Sequence, residues 1–112
     1  MAGKKDKVKD EDRFSVLVPD LEHCFLCGTT QGVCIHEVFF GSANRKISKE
    51  DGMTVGLCKE HHQGQFGVHN NKAFDTKLKQ QAEKIWIQEY ADGDLENGIE
   101  LFIKRYGRNY LD

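Results

Sequence analysis

Residues 54–62 read TVGLCKEHH. The apolar run Met53–Leu57 reads as a strand that delivers Cys58, and His61 completes a Cys58-x-x-His61 pair three positions later. Upstream, residues 24–27 read CFLC, so Cys24 and Cys27 form a second close pair. Each half has the spacing by which two ligands from one turn meet a single tetrahedral Zn²⁺. Cys24, Cys27, Cys58 and His61 are therefore the expected structural zinc ligands. The remaining cysteine, Cys34, reads as a small buried residue on a strand.

The composition fits a metal-dependent fold. The chain has 112 residues, 38% hydrophobic and 30% charged, which is room for one domain with a small core. A structural Zn²⁺ supplies on the order of 10 kcal/mol that appears as folding energy. No apolar run approaches the roughly 20 residues of a membrane span. The N-terminal segment Met1–Arg13 is charged and lacks the apolar stretch of a signal peptide, so a cytoplasmic chain is expected. In that compartment four cysteines suggest metal binding before disulfides. A net charge of −2 gives no global attraction to polyanions, and any nucleic-acid contact must come from local patches.

Working outward, Met1–Arg13 reads as a flexible charged tail and residues 14–112 as a single domain. Phe14–Val18 is β-rich and stops at Pro19, as an edge strand or extended lead-in would. Thr29–Gly32 has turn chemistry, and Val33–Phe40 is expected to be a strand carrying Cys34, His36 and Glu37. Gly41–Gly52 reads as a long, polar, basic connection, which makes the two strands a hairpin. Gly64 and Gly67 break any helix begun at Cys58. From about residue 70 the pattern turns helical: Phe74, Leu78, Ala82, Ile85 and Trp86 share one face, while Lys77, Lys79, Gln80 and Lys84 fall on others. Asp92-Gly93 ends this helix. A second begins near Asp94 with Leu95, Ile99, Phe102 and Ile103 as its stripe and Gly107 as its C-cap.

The residues with chemistry left over are His36-Glu37 and His62. With Cys58 and His61 tied to zinc, His62 sits one position beyond a fixed ligand and can face a histidine on the neighbouring strand, the makings of a second, open metal site. Taken together, CFLC (24–27), HEVFFGSANRK (36–46), GMTVGLCKEHH (52–62) and GVH (67–69) resemble the zinc-bound HNH, or His-Me finger, endonucleases, and among them the small recombination-associated nucleases of phage and prophage. The likeness covers residues 24–69 and is looser across the C-terminal helices.

That resemblance implies an α+β fold, a small zinc-stabilised ββα-metal core with additional C-terminal helices. It implies a metal-dependent DNA endonuclease of the bacterial host cytoplasm, with a recombination or packaging protein as partner. Structural Zn²⁺ sits on Cys24, Cys27, Cys58 and His61, and a catalytic Mg²⁺ or Mn²⁺ on His62 with His36 and Glu37. The family's paired motif, whose second residue activates water, stands here as His36-Glu37. Glu37 has the base's place in the register, whereas His36 has the better pKa for a base, near 6.5 against about 4.3. On a regular strand the two point to opposite faces. His36 is the expected base and Glu37 the metal or orienting group. Asn44 can supply a catalytic amide, and Asn44, Arg45, Lys46 and Lys49 can hold DNA phosphates without reading sequence. His69 either completes the catalytic shell, binds a phosphate, or bonds to backbone at a helix entry; His23 reads as a bystander. The alternative of another class is a zinc-stabilised DNA-binding or recombination-accessory protein without cleavage activity.

Overall fold

A computed structural model describes residues 13–64 and 67–111. Strand β1 (Val33–Glu37) pairs antiparallel with β2 (Thr54–Cys58), with Val33 opposite Cys58 and His36 opposite Val55. Helix α1 (Ser42–Asp51) joins the strands, α2 (Lys59–Gln63) follows β2 directly, and α3 (Lys72–Tyr90) and α4 (Leu95–Tyr106) complete an α+β fold of one two-stranded sheet and four helices. Among the described residues no helix is long and apolar enough to cross a membrane. The expected tail lies outside the described residues except for Arg13.

The hairpin is present, but its connection is a helix, not a loop. Residues 42–51 (SANRKISKED) carry little apolar surface, so periodicity alone does not mark them. Tertiary contacts supply what the stripe lacks. Buried Ser48 donates from Oγ to the Phe39 carbonyl at 2.7 Å and accepts from the Phe39 N–H at 3.1 Å, which fastens α1 to the end of β1. The left-handed Gly52 (φ 74°) closes the helix and turns the chain into β2. Phe14–Val18 forms no strand and runs as a lead-in beside β2: the Thr54 hydroxyl donates to the Phe14 carbonyl and the Val16 N–H to that of Gly52.

Asp51, at the end of α1, draws three helices together. Its carboxylate accepts from Trp86 Nε1 at 2.8 Å, from the Tyr106 hydroxyl at 2.9 Å, and from Arg105 through Nε and Nη2, each at 2.7 Å. Charge-assisted, forked contacts of this kind are the stronger class of hydrogen bond. Around them Phe39 packs on Phe102 and Tyr106 with ring centroids 5.1 and 4.6 Å away. Val38, Met53, Val55, Leu57, Leu78, Ala82, Trp86 and Ile87 fill the rest of the core. Helix α3 begins at Asn71, whose side chain accepts from the Phe74 N–H, and buries the expected Leu78, Ala82 and Trp86; Phe74 and Ile85 are half-buried. Helix α4 starts at the Asp94 cap and ends at Gly107, as expected. Its stripe is kept in part: Phe102 is buried and Ile99 half-buried as expected, whereas Leu95 and Ile103 are 58% and 41% exposed and Gly98 and Tyr106 face inward in their place. Tyr106 takes a core place because Asp51 accepts from its hydroxyl at 2.9 Å, with the Ile47 carbonyl oxygen 3.4 Å from the same oxygen.

The C-terminal segment is held by α3. Gln80 donates to the Tyr110 carbonyl at 3.0 Å, and Glu83 Oε1 accepts from the Tyr110 N–H at 2.7 Å. Glu83 is 0% exposed, and its Oε2 has no partner among the described residues. Burial raises its pKa above the ordinary carboxyl value, against the opposing pull of the Tyr110 and Leu111 N–H groups. Between its unfolded and folded pKa values the folded chain binds more protons than the unfolded one, so stability falls as pH rises through that window. Glu83→Gln removes this contribution. Thermal unfolding of zinc-loaded protein from pH 4.5 to 8 should show wild type losing stability relative to Glu83→Gln as pH increases. A constant difference between the two would mean that Glu83 is charged in the fold.

Candidate metal centres

The first centre joins the segment before β1 to the junction of β2 and α2. Cys24 and Cys27 lie on a turn closed by the Gly28 N–H on the Cys24 carbonyl and by the Cys24 N–H on that of Thr29, both at 2.8 Å. The turn docks on β2 where the Phe25 N–H meets the Gly56 carbonyl at 2.7 Å. Gly56 permits that approach, since a Cβ there would stand 2.6 Å from the His23 carbonyl oxygen. Cys58 caps α2 and His61 occupies its first turn.

The four ligand atoms converge. Cys27 Sγ lies 3.9 Å from Cys58 Sγ, and His61 Nδ1 lies 3.4 Å from Cys24 Sγ and 3.3 Å from Cys58 Sγ. Tetrahedral zinc with bonds of about 2.3 Å to sulfur and about 2.0 Å to nitrogen sets ligand separations of roughly 3.5–3.8 Å. A disulfide needs about 2.05 Å, and all four cysteines are free. Burial acts to raise the Cys24 pKa, but the N–H groups of Cys58, Cys27 and Leu26 and the His61 ring outweigh it and lower the thiol to about 6, toward the thiolate a metal requires. This Cys3His cluster could hold a metal ion such as zinc.

The second centre lies on the neighbouring face of the hairpin. Strand alternation turns Cys34 and His36 to one side, where α2 presents His62. After Gly67 the chain folds back on α2, with the Val68 N–H on the His61 carbonyl at 2.9 Å and Asn70 Nδ2 on the carbonyls of Gln63 and Gly64 at 3.0 Å. That return sets His69 Nε2 3.1 Å from His62 Nε2. The His36 ring centroid is 5.1 Å from that of His62 and 5.3 Å from that of His69. His36 is 2% exposed and its Nε2 has no partner among the described residues. Burial, then the proximity of His62, His69, Lys79 and Arg45, lowers its pKa to about 3. His62 is also lowered, by burial and by His69. His36, His62 and His69 bring ring nitrogens within 4.8 Å of one another, and the three can hold one ion.

Other expected site residues lie elsewhere. Glu37 points to the opposite face of β1, where Arg13 pairs with it and Arg45 Nε lies 3.7 Å away, so it is not among the three ligands brought together. The Asn44 amide donates to the Tyr106 carbonyl at 3.0 Å, which places it in the α1–α4 contact. Arg45, Lys46 and Lys49 stand on helix α1. His23 bonds to Asp20 at 2.9 Å, apart from both centres. Two readings change. Lys79, expected on a wet helix face, is largely covered: it pairs with Asp75 at 2.7 Å and lies 4.0 Å over the Phe40 ring, which packs against His36 and His69. Cys34, expected to be buried, is exposed, and its Sγ lies 3.2 Å from His62 Nδ1. Its even spacing from His36 is the sequence signal for that contact. No family model, curated protein or solved structure matches the chain.

Zinc dependence separates the cysteines. Cys58→Ser should lose bound zinc and cooperative unfolding, because its metal-linked share of stability is on the order of 10 kcal/mol. Cys34→Ser should keep both. Metal analysis together with circular dichroism checks this, and equal damage from the two substitutions would contradict the ligand set.

Proposed function

We propose that this protein is a metal-dependent endonuclease of the HNH class that hydrolyses phosphodiester bonds in DNA. The observation that carries the reading is the buried His36 Nε2, without a partner among the described residues, gathered with His62 and His69 beside a separate Cys3His cluster. A buried polar atom without a partner is rare in a native fold and calls for a ligand. The hairpin followed directly by a helix, with histidines on β1 and α2, agrees with the ββα-metal arrangement that the sequence resembles.

Within this reading His36 is a metal ligand and not the general base. Burial keeps its imidazole neutral, which suits ligation, while a base that weak has little drive to take a proton from water near pH 7. A divalent ion held by the three histidines supplies Lewis acidity toward a phosphate and a more acidic water. Of the two expected ions, Mn²⁺ accepts imidazole nitrogen more readily than Mg²⁺, which favours oxygen and retains its waters. Helix α1 offers Arg45, Lys46 and Lys49 for backbone phosphates, contacts that orient DNA without choosing sequence.

Cleavage of supercoiled plasmid with Mn²⁺ tests the proposal. Wild type should nick it, and His62→Ala and His36→Ala, each folded and zinc-loaded, should lose about 100-fold or more, the upper range for disturbing even a metal's outer partners. Glu37→Gln should retain most activity. DNA binding without nicking at any metal concentration would instead establish the zinc-stabilised DNA-binding alternative. Cleavage by His62→Ala at the wild-type rate would overturn the proposal.

A further inference from the structure

Cys34 has no place in the Cys3His cluster, makes no disulfide and contributes nothing to the core. Its side chain is nevertheless engaged on two sides. The thiol donates toward the Leu57 carbonyl at 3.5 Å, across the register pair Cys34–Leu57. Its sulfur also meets His62 Nδ1 at 3.2 Å. A thiol has one proton: given to the Leu57 carbonyl, it leaves the sulfur as an acceptor toward Nδ1, and in that arrangement Nδ1 carries the ring's proton. The lone pair of a neutral His62 falls in consequence on Nε2, the atom 3.1 Å from His69 Nε2. Metal-bound histidines commonly have their second nitrogen held in this way by a carboxylate or a carbonyl, which fixes both tautomer and ring orientation.

We propose that Cys34 is a positioning residue for His62, a sulfur acceptor that holds Nδ1–H and so presents Nε2 to a divalent ion shared with His36 and His69. The inference rests on the three-histidine reading above and deepens it. The hydrogen-bonded order runs from His62 Nδ1–H to the Cys34 sulfur and from the Cys34 S–H to the Leu57 carbonyl, so the backbone of β2 ultimately sets the angle of a ring carried by α2. Cys34 itself touches neither ion nor substrate.

Two measurements on the full-length, zinc-loaded protein test it. In the absence of a second ion, ¹⁵N-detected imidazole spectra should show His62 as the Nδ1–H tautomer in wild type. In Cys34→Val, which keeps the volume and removes the acceptor, His62 should shift toward the Nε2–H form that unrestrained histidine favours. Cys34→Ser, whose shorter side chain retains an acceptor, should fall between them. Calorimetric titration with Ni²⁺, an ion suited to imidazole, should give affinities in the same order, with Cys34→Val weaker by about 10- to 100-fold and zinc content unchanged. An unaltered His62 tautomer in Cys34→Val would overturn the positioning role whether or not Ni²⁺ binds. Failure of wild type to bind Ni²⁺, with the Nδ1–H tautomer present, would count against the three-histidine metal site while supporting the Cys34 contact.

Discussion

Four ligand atoms from two distant segments meet at one point between the first turn of the domain and the start of α2, and the positions of the functional side chains follow from that meeting. Cys24 and Cys27 arrive from before the hairpin and Cys58 and His61 from its end, so a metal there ties the outer segment to β2 and sets the direction in which α2 leaves the sheet. His62 is the next residue on that helix. Its ring is directed by a constraint placed one position earlier, and the return loop that brings His69 is bonded to the same short helix through the His61 and His62 carbonyls. A helix of five residues has little stability of its own. Its place depends on the Cys58 and His61 ligands at its start and on the returning loop at its end.

The two centres divide their work by chemistry. A Cys3His cluster would enclose its ion completely, whereas three imidazoles would leave positions open on a second one. The first centre lowers a thiol, through N–H donors gathered around Cys24. The second keeps imidazoles neutral, through burial and mutual repulsion. Cys24 in the first and His36 and His62 in the second are thereby moved toward the protonation state that binds metal, by opposite electrostatic means.

The Cys3His cluster that could hold a metal was legible in the sequence because ligand spacing is a local property: a Cys-x-x-Cys and a Cys-x-x-His need only one turn each. The strands, the helix from about residue 70, the start of α4 near Asp94 and the stop at Gly107 were legible for the same reason. Helix α1 was not. It is specified by Ser48 gripping the ends of the Phe39 peptide and by Asp51 gathering Trp86, Arg105 and Tyr106, contacts between residues as much as 55 positions apart that no periodicity records. The same cause explains Asn44, which looked like a free amide in a loop and is spent on the Tyr106 carbonyl. For His36-Glu37, alternation along the strand already allowed only one of the pair to face the cleft. Which one did so depended on Arg13 and Arg45 waiting for the carboxylate on the other side.

The most direct measurement is zinc K-edge X-ray absorption on protein carrying one equivalent of zinc. Ligation by Cys24, Cys27, Cys58 and His61 predicts three sulfur neighbours at about 2.3 Å and one nitrogen at about 2.0–2.1 Å. A shell of nitrogen and oxygen alone would place the zinc on the histidine cluster and contradict the idea that the Cys3His centre organises the fold.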